Sequence, residues 1–346
     1  MREAHLPLFG VIPSSSPVRI ALRANCNRFL SGHGRISARA WAERLVASPH
    51  IGLALDEYSE GPGIKLLEET VADLLGKPSA LWFPKGVTAQ QAALLVHAAE
   101  TGSRIVVMHP KSHLAVDEQD ALDRLAGLLP RRIGHDHRPF TRAELEAVNE
   151  PLAAVTVELP LRRAAFQAPS WEELTGMAAW ARHRGTPFHI DGARIWEVAP
   201  WYGKSLAEIA ALADTIYVSF YKGLGSLGGC VLAGPTEFIR AAKPWRNRYG
   251  GDLAVAFPFI VSALDGLAEY LPHMGTYHLH ACTPARLRDR GRNGRRRAGR
   301  SSRCSARQLV SGSLPSRRRR PDPRRLCRCC QHRHLALWPH LGRRAA

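Results

Sequence analysis

From residue 63 onward, apolar positions fall into short runs separated by polar and glycine-rich breaks. Ile64, Leu67, Val71, Leu74 and Leu75 recur at helical spacing, and Gly76 with Pro78 ends that helix. Ala80 to Phe83 is predicted as a buried strand entering the turn Pro84-Lys85-Gly86. A helix is expected over Ala89 to His97, a strand over Arg104 to Met108 and a helix over Asp117 to Leu129. Thr141 with Glu144, and Ser170 with Glu173, have capping-box spacing and should each open a helix. Between them lies the strand Ala153 to Glu158. Further strands are predicted at Pro187 to Ile190, ending on Asp191, at Thr215 to Phe220, just before Lys222, and at Cys230 to Leu232. Asp252 to Leu271 reads as a long apolar helix. Strands alternating with helices predict an α/β domain with a mostly parallel sheet. Ligands of such sheets gather beyond the carboxyl ends of the strands. Gly86, His113, Asp191 and Lys222 all follow predicted strands, so they are site candidates as a group.

The charge of the chain changes the picture only at its end. The net charge is +18, and residues 282–346 carry 20 arginines against only Asp289 and Asp322. Residues 1–281 are therefore neutral, which excludes a basic, nucleic-acid-binding surface spread over the domain. Residues 282–346 also lack Ile, Phe, Tyr, Met, Lys and Glu, and they show no helix or strand period. Such a composition cannot bury enough apolar surface to offset ordering entropy, so this tail is expected to be disordered. The Pro- and Ser-rich residues 1–25 are expected to form a disordered lead, without the continuous apolar stretch of a secretory signal. Cys26 and Cys230, the two cysteines before the tail, make no disulfide framework and fit a reducing cytoplasm. Leu253 to Leu264, the longest apolar stretch, contains Pro258 and is too short to span a bilayer.

Two segments carry the chemistry. Ser219-Phe220-Tyr221-Lys222-Gly223-Leu224-Gly225 closes a strand, and a lysine among small residues can approach a planar cofactor and form an imine. Taken alone, it reads rather as a loop lysine beside turn glycines, and the second segment reverses that. His189-Ile190-Asp191-Gly192-Ala193-Arg194 ends the preceding strand. A carboxylate there can hold a pyridine nitrogen protonated, or it can cap the helix that follows. Arg194 alone could be a surface ion-pair partner.

Together these motifs resemble the pyridoxal-phosphate-dependent threonine aldolases of the aromatic amino acid β-eliminating lyase/threonine aldolase group. Other segments resemble that family in the same order: Asp56-Glu57-Tyr58-Ser59-Glu60-Gly61-Pro62, Leu67-Glu68-Glu69, Pro84-Lys85-Gly86-Val87-Thr88-Ala89-Gln90, and His113. The likeness covers roughly residues 25–281. It implies the aspartate-aminotransferase architecture, fold type I, with a large cofactor-binding domain over residues 26–271 and a small domain starting at 272–281. It implies pyridoxal 5'-phosphate as cofactor, with Lys222 joined to its aldehyde and Asp191 on its pyridine nitrogen. Gly86, Val87, Thr88 and Ser219 would bind the cofactor, His113 would stack on its ring, and Arg194 would lie near its phenolic oxygen. Arg194 and Ser31 would take the carboxylate of an amino acid substrate. Arg246 and Arg248 would lie on a basic, glycine-rich loop near a neighbouring subunit's cofactor. The implied reaction is retro-aldol cleavage of a threonine-like β-hydroxy-α-amino acid to glycine and an aldehyde. Lys222, His113 and Asp191 would be the catalytic residues, in a homodimer or homotetramer. Other β-elimination chemistry is the neighbouring alternative.

The sequence also departs from that family. Val87 stands at the usual phosphate-loop threonine, Glu158-Leu159-Pro160-Leu161 replaces Glu-Asn-Thr-His, and Ala165-Phe166 replaces Gly-Gly. The family text stops near residue 281. The Arg-rich residues 282–346 read as a translated wrong frame of a GC-rich gene that leaves the small domain truncated, with weak cofactor binding and little turnover expected. The rival readings are a polyanion-binding arm, the one route to nucleic acid, and a metal site formed by Cys327, Cys329, Cys330, His332 and His334.

Overall fold

In the computed structural model, the described residues are 36–282 together with Pro17, His33 and Gly34. The chain divides into two units, and the larger one, Ser31–His33 with Ser37–Gly312, contains the sheet and its helices. The expectations for residues 1–16 and 18–32, Cys26 and Ser31 among them, and for residues 283–346 lie outside the described residues.

Seven strands form one sheet: β1 (Ser79–Phe83), β2 (Ile105–Met108), β3 (Leu129–Arg132), β4 (Ala154–Glu158), β5 (Phe188–Gly192), β6 (Thr215–Ser219) and β7 (Cys230–Gly234). Their order is β1-β7-β6-β5-β4-β2-β3. Only β7 runs against its neighbours, pairing antiparallel with both β1 and β6. The other six strands therefore point the same way, and their carboxyl ends share one edge. Strands β4 to β7 are almost wholly buried, as strands covered on both faces must be, and they carry His189, Asp191, Thr215 and Ser219 among their apolar residues.

The helices supply that cover. Helices α1 (Ala38–Ala47) and α2 (Pro62–Leu75) precede β1, and α3 (Gly86–Thr101) joins β1 to β2. Short helices α4 (His113–Val116) and α5 (Ala121–Arg124) lead to β3, and α6 (Arg142–Glu146) leads to β4. Helix α7 (Trp171–His183) joins β4 to β5, while α8 (Ile195–Tyr202) and α9 (Leu206–Ala210) join β5 to β6. Helices α10 (Thr236–Arg248) and α11 (Phe257–Tyr270) follow β7. Ile64, Leu67, Val71 and Leu75 form the buried stripe of α2, and left-handed Gly76 ends it, as the spacing predicts.

Four expectations need correction. The helix expected over Asp117 to Leu129 is broken, because Gln119 and Asp120 both adopt left-handed φ, near 55° and 57°. Its last residue instead opens β3, an exposed edge strand that the pattern missed. The helix expected from Asp252 begins at Phe257, since Asp252 is held by Arg246 and Asn247 and the Asp56 carboxylate accepts from the Ala256 N–H. The Thr141 capping box is complete, whereas at Ser170 only half forms: Glu173 turns away to accept from the Arg142 N–H. Arg246 and Arg248 lie in α10 instead of a loop. The Arg246 side chain is fully buried among Asp252, Glu60 and the Trp82 carbonyl.

Candidate active site

The carboxyl edge of the sheet collects the residues singled out from the sequence. The chain reaches that edge first at Gly86, where α3 begins. Lys85 at its N-cap supplies no side-chain bond, so the first N–H groups of α3, at Gly86, Val87 and Thr88, have no capping side chain. A Cβ on Gly86 would overlap the Tyr217 hydroxyl oxygen, so only glycine lets the backbone approach this closely. Tyr217 belongs to β6 and is directly opposite Asp191 in β5.

Asp191 is buried, and its Oδ1 accepts from the Ala193 N–H at 3.1 Å, so the carboxylate does make a local backbone bond. Its other cross-strand neighbour is Glu158, the last residue of β4. Burial, and then the charge of Asp191, push the Glu158 carboxyl well above its usual range. Two N–H groups turn toward Glu158: His113 donates to Oε2 at 2.7 Å and Arg162 to Oε1 at 3.1 Å.

Lys222 lies in the turn after β6. Burial lowers its amine toward the neutral form, with Arg194 adding to that, while Asp191, Glu158 and Glu197 oppose it. The Arg194 guanidinium is half-buried, 3.5 Å from Glu197 and 5.5 Å from the centre of the Phe166 ring, so it is not a surface pair. Glu197 presses on the lysine turn, since a Cβ on Gly223 would overlap its carboxyl group. Burial raises the Glu197 carboxyl, and its Oε2 has no hydrogen-bond partner among the described residues. Ser219 is fully buried, its carbonyl accepts from the Trp196 indole at 2.9 Å, and its Oγ likewise has no partner among the described residues.

His113 opens α4, with Nδ1 3.2 Å from Asp117 Oδ2 and Nε2 3.9 Å from Glu118 Oε1. Glu118 has its carboxyl buried, and burial, assisted by Asp191, pushes it up to about 7. Gly86, Asp191, Arg194, Ser219, Lys222 and His113 thus converge on one edge, as their shared position after strands implies.

Sequence reasoning passed over Asp117, Glu118, Glu197, Tyr217 and His33. The His33 Nε2 lies 2.9 Å from the Gly223 carbonyl, and its ring packs on Gly225 and on Tyr270. The available signals were weak. Asp117 follows His113 by four residues and Glu197 follows Arg194 by three, spacings that also suit ordinary helix-surface pairs, and Glu118, at five, has no helical spacing to His113.

Residues 50–306 match the family model described as beta-eliminating lyase. The chain belongs to the beta-eliminating lyase family. Its fold resembles a structure proposed to be an L-allo-threonine aldolase from Listeria monocytogenes, with TM-score 0.74 and 38% identity over 77% of this chain and 74% of that one. A structure from Exiguobacterium, proposed to be an aromatic amino acid beta-eliminating lyase/threonine aldolase, gives TM-score 0.73 and 38% identity over 78% and 76% of the two chains. A low-specificity L-threonine aldolase of Arabidopsis thaliana is 26% identical over 65% of this chain. The chain spans 66% of that relative's length.

Members of this beta-eliminating lyase family work with pyridoxal 5'-phosphate, and the donor set here fits that group. An uncapped helix N-terminus suits a phosphate. A buried carboxylate in a polar surround suits a protonated pyridine, and a buried lysine of lowered basicity suits an aldehyde. The unpartnered Ser219 Oγ offers one more polar contact.

Proposed function

We propose that this chain cleaves β-hydroxy-α-amino acids of the threonine type to glycine and an aldehyde, using pyridoxal 5'-phosphate. The observation that carries the reading is the grouping of Lys222, Asp191 and Arg194 at the ends of β5 and β6, beside the uncapped start of α3. Lys222 would hold the cofactor covalently, its neutral amine being the nucleophilic form that burial favours. Asp191 would keep the pyridine nitrogen protonated. The chemistry supplied by the bound cofactor is an electron sink for the pair released at Cα.

Around it, the chain's own groups bind, orient and move a proton. The N–H groups of Gly86, Val87 and Thr88 and the Ser219 hydroxyl would hold the phosphate. Arg194 would take the substrate carboxylate and lie near the phenolic oxygen, with Ser31 as a second carboxylate contact. His113 would lie over the ring and accept the β-hydroxyl proton at Nε2 as the Cα–Cβ bond breaks.

Assembly as a homodimer or homotetramer belongs to the same proposal. Val46, Leu55, Tyr58 and Val255 are exposed hydrophobic side chains, and the Tyr58 N–H bonds the Ala254 carbonyl, which joins two of the segments that carry them. Cytoplasmic residence is supported by Cys230 and Cys282, which are free thiols. No helix among the described residues is long and apolar enough to cross a membrane.

Product analysis tests the reaction. Incubation with cofactor and threonine should yield glycine and acetaldehyde in equal amounts. Pyruvate and ammonia from serine, without glycine from threonine, would replace the aldol reading with β-elimination.

A further inference from the structure

The site's histidine has a carboxylate behind it to which the proposed reaction assigns no part. Asp117 Oδ2 lies 3.2 Å from His113 Nδ1. The same carboxylate receives the guanidinium of Arg162 on Oδ2 and that of Arg163 on both oxygens, with Nε of Arg163 at 3.0 Å. Arg163 first, and Arg162 after it, hold this carboxyl far below the usual carboxylate range. It is therefore an ionised group over the whole working range of pH, and an ionised carboxylate only accepts hydrogen bonds. Its four contacts, three from arginine and one from histidine, crowd onto Oδ2, which takes His113, Arg162 and Nε of Arg163, while Oδ1 takes the other Arg163 nitrogen, and at each the carboxylate can only accept. The proton on the neutral His113 ring must then sit on Nδ1, which leaves the Nε2 lone pair free.

We propose that Asp117 is the positioning residue of His113, fixing its Nδ1–H tautomer so that Nε2 faces the site as a base. Arg162 and Arg163 stand in the short helical turn Arg162–Ala164, directly after β4 and its terminal Glu158. They tie Asp117 to that segment, and Glu158 holds the His113 backbone N–H from the same strand end. Ring and backbone of His113 are thus each anchored to the β4 exit. On the other side of the ring, Nε2 is 3.9 Å from Glu118 Oε1, beyond hydrogen-bonding reach, so that carboxyl does not occupy the lone pair. The charged and titratable groups around the ring are Asp117 and Glu118 on its own segment, Glu158 from β4, and Arg162 and Arg163 beyond Asp117. This arrangement follows the general logic in which a carboxylate orients a catalytic imidazole and selects its tautomer.

The inference deepens the role proposed for His113 and rests on that reading, but its test does not need the reaction. Ring nitrogen shifts of His113, read by 15N NMR on the 15N-histidine-labelled protein without cofactor and at a pH where the ring is neutral, report the tautomer directly. The Nδ1–H form should dominate in the wild type. Asp117→Asn, which can still present an oxygen, should retain most of it, and Asp117→Ala should shift the ring toward Nε2–H. With cofactor and threonine, Asp117→Ala should lose roughly tenfold or more in kcat with KM little changed, and Asp117→Asn should recover part of the loss. A dominant Nε2–H tautomer in the wild type, or an unchanged tautomer in Asp117→Ala, overturns the proposal. If Asp117→Ala does not fold, the wild-type spectrum alone decides. Failure of the aldol reading would leave the tautomer result standing.

Discussion

At the scale of single residues, the site is a set of carboxyls in a confined space around one amine. Lys222 is drawn toward its neutral form by burial and by Arg194, while Asp191, Glu158 and Glu197 restrain that change. Glu118 shows the same crowding from the other direction, with its carboxyl pushed up to about 7. Between the ordinary carboxyl range and about pH 7, the folded chain keeps a proton on Glu118 that the unfolded chain releases. Glu118 therefore contributes a fall in stability as pH rises through that window, and Glu158, raised for the same reason, acts in the same direction, while His109 and His189, whose proton affinity burial lowers, act against it. Urea titrations of the cofactor-free wild type and of Glu118→Gln at pH 5 and pH 7.5 separate this downward contribution from that of the histidines. Glu118→Gln should remove roughly 2 kcal/mol of it, given about 1.4 kcal/mol for each tenfold change in proton affinity and partial relaxation. An unchanged pH slope in that variant would contradict the raised proton affinity of the buried Glu118 carboxyl. Asp191 and Lys222 could be found from the sequence because each ends an apolar strand and has few other uses there. Glu197 and Asp117 could not, because a carboxylate three or four residues from a cation has the same spacing whether it lies on the surface or inside a site, and Glu118, five residues from His113, has no pairing spacing to read.

Among the elements, apolar period located the central strands well, since buried parallel strands have little other way to be written. The failures lie where the backbone leaves the common φ/ψ wells. Gln119 and Asp120 in left-handed conformation break a run that apolar spacing presents as one helix. Edge strand β3 is too exposed to show a period. Ala165 and Phe166, which stand where the resemblance led to two glycines, have φ near 60° and 58°. That geometry puts the Phe166 ring against Arg194, at a conformational cost that any residue with a Cβ incurs there. Ala165→Gly should therefore stabilise the fold by about 1 kcal/mol in urea denaturation, because glycine enters this region freely. A loss of stability would mean that the Ala165 methyl contributes more packing than its backbone costs. The start of α3 is equally specific. Gly86→Ala would drive a methyl into the Tyr217 hydroxyl, and it should weaken cofactor affinity at least tenfold, read by fluorescence titration with pyridoxal 5'-phosphate. Pairing it with Tyr217→Phe, which removes the clashing oxygen, should restore part of the affinity.

For the whole molecule, membership of the beta-eliminating lyase family and a sheet with one reversed strand account for why distant segments meet. Six strands deliver their carboxyl ends to one edge, so residues between 86 and 222 become neighbours without any being close in sequence. The charge partition was equally legible: the +18 of the chain resides in residues 282–346, almost all of them outside the described residues, and says nothing about the site. Exposed Val46, Leu55, Tyr58 and Val255 belong to this scale too. Replacing Leu55 and Tyr58 together by aspartate should lower the mass measured by light scattering to that of the monomer, and an unchanged mass would remove that surface from the assembly. The central claim is that Lys222 is the residue to which pyridoxal 5'-phosphate attaches. Borohydride reduction of the protein with bound cofactor, followed by peptide mass mapping, tests it most directly. The modified peptide should contain Lys222, and Lys222→Ala should carry no label. Labelling on Lys85 or another lysine, or an equal label in Lys222→Ala, would contradict that claim.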